Sequence, residues 1–494
     1  MLSQLRIGAA FPGILGDAIF RLTKCKRAVV ALVYLGFSSF SLAAQQPSSP
    51  REERFTLQQA VEFARAHYPE ARASLAKVMA ARAAMGLART SYLPRTDLLW
   101  QTNRSTYNNI TGLLLPQSVM PSLSGTVLAN SSDQTLWGSA GGALFSWQPF
   151  DFGLRAASVN VARAGEHSAG YQLQLTNLDV SASAADAFLA AVVAQQARRV
   201  ADADVGRRET FAKVVHSLVD NQLRPGVEGS RADAELAAAR TQLLRAQESE
   251  ANSRITLAEA LGIAGQMVQI DAGPLVSTVP APPGSISIEP PTSHPLAELA
   301  MSAVDEFRAR RQALERSYFP TFYLQSAVAA RGSGAKPNGA ILEGTNGLAP
   351  DRYNFGVGIT ATFPVFDFFS LRSRKQVESA NEENSKAEYD KTMQQLSAQL
   401  QRAHIAMRTA RQIADNTGVE LKSAQANETQ ATARYRASLA NAIEVSEAQH
   451  LLVQAETDDA VAKVSLWRAL LSEAFAEGNL QPFMDSVQHA DGGH

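Results

Sequence analysis

The chain has 494 residues, with 46 Lys+Arg against 47 Asp+Glu and a net charge of −1, a balance that excludes a polyanion-binding footprint at whole-chain level. Hydrophobic residues at 45% and a mean hydropathy of −0.13 exclude a polytopic helical membrane protein. The single cysteine excludes a disulfide framework and any Cys-rich metal site.

At the N-terminus, Arg21, Lys24, Lys26 and Arg27 precede an apolar run from Ala28 to Ala44 that closes on small residues. A basic region, a short apolar run and a small-x-small end are the parts of a secretory signal peptide, predicted here over residues 1–44. As a membrane anchor the run would be short, because its 17 residues include three serines. Cys25 lies ahead of the run, whereas a lipid-anchored cysteine would follow it.

The remainder is written twice. Ser91-Tyr92-Leu93-Pro94 recurs as Ser317-Tyr318-Phe319-Pro320, an offset of 226, and Phe150-Asp151-Phe152 recurs as Phe366-Asp367-Phe368, an offset of 216. In both copies the order is helix, two strand-like segments, a very long helix and a second helix. The predicted division is 45–262 for the first repeat, 263–295 for a Pro/Gly/Ser-rich link, 296–478 for the second repeat and 479–494 for a polar tail.

In each copy the segments after the Tyr-x-Pro element have period two. Tyr353, Phe355, Val357, Ile359, Ala361 and Phe363 alternate with Asn354, Gly356, Gly358, Thr360 and Thr362. Trp137–Trp147 is a looser version, and 96–105 and 321–331 are the partner strands. Such a strand has one wet face in a soluble sandwich, or a lipid face and a lumen face in a transmembrane barrel. Four strands of about ten residues suit a tilted membrane crossing. Four cannot close a barrel, and open edges are not tolerated in lipid, so several chains would have to share one: eight strands from two, twelve from three.

The long helices follow. Leu154 to Gln222 is predicted as one helix of about 100 Å. From Leu371 to Tyr435 there is no proline, and the only glycine is Gly418. Met393, Leu396, Leu400, Ala403, Met407, Ala410, Ala414, Thr417, Leu421, Ala424, Glu428, Ala431 and Tyr435 step by three and four without a slip. That 3.5-residue seam belongs to coiled-coil packing. Breaks at Arg224-Pro225-Gly226 and at Ser438-Leu439-Ala440 predict that each long helix folds back on a second one.

Together these residues resemble the bacterial outer-membrane efflux factor family, the TolC-like channels. The resemblance runs from the helix at Phe55–Val61 through Tyr92-Leu93-Pro94 and Trp147-Gln148-Pro149-Phe150-Asp151-Phe152-Gly153 to about Gly478, and rests on the duplicated layout. It implies a mainly α fold with a small β part. Duplicated helical hairpins would form a periplasmic coiled-coil barrel, and four transmembrane strands per protomer would contribute to a twelve-stranded barrel shared by a homotrimer. It further implies an outer-membrane exit duct in contact with lipid, partnered by a periplasmic adaptor and an inner-membrane transporter in efflux or type I secretion. No enzyme activity, cofactor or nucleic-acid partner is implied.

The resemblance also carries over to the periplasmic tip. Tyr435 matches the family's tyrosine, Ser438-Leu439-Ala440 stands at its turn, and Glu444 and Glu447 match an acidic pair. Carboxylates at i and i+3 share a helix face. In a trimer they would make a cation-attracting ring; by spacing alone they are an ordinary solvated face. The other turn, Arg224-Pro225-Gly226, is followed by Asp233, which resembles an Asp that latches the closed state to an Arg of the second turn. Ala440 stands where that arginine would be, a departure that bears on the latch and on adaptor docking through the two turns.

No other chemistry competes. The eight histidines show no metal-ligand spacing, and those at 489 and 494 are predicted to be exposed. Gly332-Ser333-Gly334-Ala335-Lys336 leads into Pro337 and reads as a loop. Trp137, Trp147 and Tyr353 suit an interfacial belt. The alternative to a duct is an exported coiled-coil scaffold or adhesin without a pore.

Overall fold

A computed structural model describes residues 53–106, 114–120, 133–280, 292–336, 338 and 340–491. The signal segment 1–44 with Cys25, part of the link between the repeats, and His494 lie outside the described residues.

The first repeat opens with β1 (Glu53–Phe55) and α1 (Leu57–His67). Thr56 and Gln59 close a reciprocal capping box that fixes where α1 begins. There follow α2 (Pro69–Thr90), β2 (Arg95–Thr106), β3 (Thr135–Phe150), the 67-residue α3 (Leu154–Asp220) and α4 (Gly226–Ala260). The second repeat has α5 (Pro295–Arg316), β5 (Thr321–Ser333), β6 (Arg352–Thr362), the 69-residue α6 (Phe368–Arg436) and α7 (Ala442–Ala476). The described part of the link holds β4 (Val268–Ile270), which pairs in parallel with β1.

Four antiparallel strands form one sheet in the order β2-β3-β5-β6. Its registers put Leu98 and Trp100 of β2, Ala143 and Phe145 of β3, Leu324 and Val328 of β5, and Phe355 and Ile359 of β6 on one face. The opposite face carries Asp97 and Gln101, Ala140 and Gly142, Gln325 and Arg331, and Asn354 and Thr360. The sheet's two outer strands, β2 and β6, have no partner along their free edges among the described residues.

The helices repeat this order beneath the sheet, with α2, α3, α5 and α6 side by side, each continuous in chain with one strand. Further down, α4 packs on α3, α3 on α7, and α7 on α6. The wall is thus four helices wide at both levels. The long helices α3 and α6 run the full height, and two pairs of short helices meet halfway. Gly262 at the end of α4 abuts Tyr68 and Pro69 at the start of α2, and Gly478 at the end of α7 abuts His294 and Pro295 at the start of α5. Both glycines hold left-handed backbone, with φ of +76° and +78°, which ends a helix without a side-chain clash. Proline at the first helical position suits the other side of each joint.

Every seam position from Met393 to Tyr435 is buried or half-buried, as the 3.5-residue spacing predicts for the α6 face that meets α7. The largest core surrounds the two joints. There Phe188, Leu189, Leu257, Leu261, Val464 and Trp467 are fully buried, with Val268 and Ile270 of the small sheet. Residues 481–491, read from sequence as part of a polar tail, instead form α8 (Gln481–Asp491), whose Phe483 and Val487 enter this core. Two apolar residues at i and i+4 suffice to dock one helix face. His489 is exposed, as expected.

Candidate functional site

The two turns at the lower end are built alike. Gln222 and Ser438, 216 residues apart, both adopt left-handed backbone, with φ of 61° and 62°. Leu223 N–H donates to Leu218 O at 2.9 Å, and Leu439 N–H to Arg434 O at 2.8 Å, closing each helix end in the same way. Leu223 and Leu439 then project into solvent. Pro225 occupies the N-cap position of α4 without a side-chain hydrogen bond, whereas Asn441 caps α7 by accepting from Glu444 N–H at 2.9 Å.

Tyr435 is the centre of the site. It is 1% exposed, packed among Val215, Ala232, Ala442 and Val445, with Phe211 at 5.1 Å between ring centroids. Its hydroxyl donates to Glu228 Oε2 at 3.0 Å. Burial and then this carboxylate push the phenol up to about 12, so the proton stays in the bond. Arg224 completes the cluster. Its guanidinium lies 5.0 Å over the Tyr435 ring, 3.6 Å from Glu228, and donates to the Ala440 carbonyl at 2.9 Å.

Residues of both turns are therefore tied together within one chain. Ala440 takes part through its backbone carbonyl, and the arginine comes from the first turn. Sequence reasoning singled out Tyr435 and Arg224 but missed Glu228. The signal was present: the 216-residue offset carries Glu444 onto Glu228.

The remaining expected residues are placed otherwise. Asp233 does not reach the second turn; it pairs with His216 of α3 at 2.8 Å. That hydrogen bond, then its charge, raises the histidine above its ordinary value. Glu444 and Glu447 are exposed on one face of α7. Glu444 lies 4.0 Å from Arg434, whereas Glu447 has no ion pair among the described residues.

Above the turns, Arg207 of α3 grips Glu456 of α7 through two bonds of 3.1 and 2.9 Å. Arg208 joins Asp204 to Glu235 of α4, each at 2.8 Å. The first contact binds one hairpin to the other and the second binds the first hairpin to itself. Among the described residues no group of three His, Cys, Asp or Glu side chains could hold a metal ion.

A sequence model described as outer membrane efflux protein matches residues 60–263 and 294–472. Protein CyaE of Bordetella pertussis is 24% identical over 379 residues, covering 74% of this chain and 72% of that protein. Among solved structures, the outer membrane protein VceC of Vibrio cholerae aligns with a TM-score of 0.66 at 16% identity, over 86% of this chain and 96% of its own. The open state of the Neisseria gonorrhoeae MtrE outer membrane channel aligns with a TM-score of 0.67 at 18% identity, over 86% and 89%. CusC aligns with a TM-score of 0.69 at 14% identity, over 88% and 96%. The chain belongs to the outer membrane efflux protein family and is an outer-membrane efflux channel.

Proposed function

We propose, from its membership of that family, that the chain acts as a homotrimeric exit duct whose three sheets close a twelve-stranded barrel over a helical tunnel. The observation that carries this reading is the sheet with two outer edges unpaired among the described residues and one apolar face, standing on a wall of helices in the same lateral order. Lipid accepts neither open edge, so β2 of one protomer must pair with β6 of the next. The apolar face then meets lipid and the polar face lines the lumen. The duct is passive; cargo enters from a periplasmic adaptor and an inner-membrane transporter. Heat-modified migration, outer-membrane fractionation and conductance in planar bilayers test it. A soluble periplasmic monomer without conductance overturns it in favour of a scaffold.

At the periplasmic end, Tyr435, Glu228 and Arg224 hold the two hairpins of a protomer in the closed arrangement. Glu444 and Glu447 from three protomers present six carboxylates at the entrance, attracting cations. Arg224, Pro225, Gly226, Ser438, Leu439 and Ala440 form the surface that an adaptor meets, with exposed Leu223 and Leu439 as its apolar points. Site-specific crosslinking from Leu439 tests this docking: products with an adaptor are expected, and their absence in assembled complexes overturns it.

A further inference from the structure

The opposite mouth carries its own charge pattern. Arg331 of β5 and Arg352 of β6 are directly opposite one another in the strand register. They share the polar face with Gln325, Asn354 and Thr360, and stand at the end of the sheet that bears the inter-strand loops. Directly opposed residues have Cβ atoms about 4.5–5.5 Å apart, and like charges in that arrangement destabilise a sheet.

Neither arginine has an ion pair among the described residues, and Arg331 Nη1 is buried without a hydrogen-bond partner there. The charges nearby do not compensate them. Asp351 touches Arg331 through backbone alone, its N–H donating to the Arg331 carbonyl at 3.0 Å. Lys336 and Glu343 of the following loop are exposed, as is Asp133 ahead of β3, and none pairs with either arginine. Arg104 faces the other way, over Trp137 on the apolar side. At the helix end of the sheet the same polar face is neutralised, since Arg95 pairs with Asp97 at 2.9 Å.

The described parts of the inter-strand loops lie against the same face as this pair. Gln101, on the polar face, exchanges two hydrogen bonds with the Leu115 backbone, and the Met120 sulfur lies against Gly142 of the same face. In the second loop, Ala335 packs on Leu136, again on that face. The described parts of both loops, residues 114–120 and 334–336, therefore fold toward the side that lines the lumen.

We propose that Arg331 and Arg352 form an oxyanion-attracting site at the outer mouth, which in the assembled duct draws carboxylate- or phosphate-bearing solutes toward the exit. The inference rests on the trimeric duct of the preceding section. With their Cβ atoms set opposite one another by the register, both guanidinium forks can reach one oxyanion, and donating to it relieves their mutual repulsion. The duct then carries opposite signs at its two ends: carboxylates at the periplasmic tip and guanidiniums at the outer mouth.

The test uses the full-length protein in planar bilayers across a KCl gradient, with inorganic phosphate added on the loop side. In R331Q/R352Q the reversal potential is expected to move toward cation preference, and the reduction of wild-type conductance by phosphate is expected to disappear. R331K/R352K keeps the charge without the fork, so it should keep the reversal potential and lose most of the phosphate effect. Removing opposed like charges leaves the sheet no less stable, so the variants should migrate as heat-modifiable oligomers; if the glutamine variant does not assemble, the lysine variant's phosphate response decides. Channels of unchanged reversal potential and phosphate response overturn this site while leaving the duct intact. A wild-type protein without conductance overturns the duct itself, and the site with it.

Discussion

The two repeats share one backbone plan and differ in how they are fastened. At the sheet–helix junction of the first repeat, Asp151 and Arg155 form a buried pair at 2.8 Å; Asp151 also accepts from the Gly153 and Arg155 N–H groups, and Arg155 donates to Ser91 O. In the second repeat Asp367 is exposed and Leu371 stands at the place of Arg155. At the joint the position is reversed. Tyr68 offers α2 no side-chain cap, whereas His294 accepts from Leu296 N–H through Nδ1 and donates through Nε2 to Phe475 O at 3.2 Å. At the turns, the side chains of Arg224 and Glu228 of the first repeat are engaged, while Ala440 contributes its backbone carbonyl and the Glu444 side chain has only a long ion pair. A duplicated sequence thus keeps its geometry where backbone terms decide it and diverges where single side chains do.

The contrast is broken most strongly at the junction. Arg155→Ala leaves buried Asp151 without its counter-charge, held only by two backbone N–H groups, and should cost about 3 kcal/mol in denaturant unfolding. Asp367→Ala, its counterpart, should change stability by less than about 0.5 kcal/mol. Equal losses would show that the two junctions are fastened alike.

Next comes the turn. Tyr435→Phe removes a hydrogen bond to a carboxylate, an interaction of about 1.5–3 kcal/mol, so turn amides should exchange roughly ten- to a hundredfold faster with the rest unchanged. In bilayers the variant should also dwell longer in conducting states. Unchanged exchange at Leu223 and Leu439 would remove Tyr435 from the fastening.

The joint predicts a pH effect. Burial first, against the Phe475 carbonyl, holds His294 below its ordinary value of 6.5, so the unfolded chain takes the proton first. Stability should be level above that value and fall as the pH drops through it toward the lowered native value. His294→Asn keeps a cap acceptor and loses the Phe475 bond. It should cost about 1 kcal/mol at neutral pH and flatten the acid slope of the melting temperature. A slope as steep as the wild type's would assign the titration elsewhere.

The smallest effect on stability is at the tip carboxylates. Glu444→Gln with Glu447→Gln should stay within about 0.5 kcal/mol of wild type, while cation preference and cation block in bilayers decrease.

Much of this was legible in the sequence. The strands announced themselves because Tyr353–Phe363 alternates without a break, and the long helices because their seam never slips. The positions of both turns followed from where those patterns stop. The partner of Tyr435 was harder. Asp233 lies in the same stretch as Glu228, and only the fold distinguishes the carboxylate that points across to α6 from the one that turns back to His216. The docked α8 was also hidden, because Phe483 and Val487 are too few to set a period and gain meaning only from the core they meet. The loops' inward fold depends on contacts such as Gln101 with Leu115, which no local pattern encodes.

The paired joints give the wall the mechanics of a lever. In each hairpin a long helix passes the fulcrum unbroken, while its short companion, 35 residues in both repeats, merely butts against the helix above. Below the fulcrum that companion makes an arm of about 50 Å, so a tilt of only about 6° at the joint sweeps the tip through about 5 Å. Such a tilt, confined to the short companions α4 and α7, involves no element joined in chain to a strand of the four-stranded sheet.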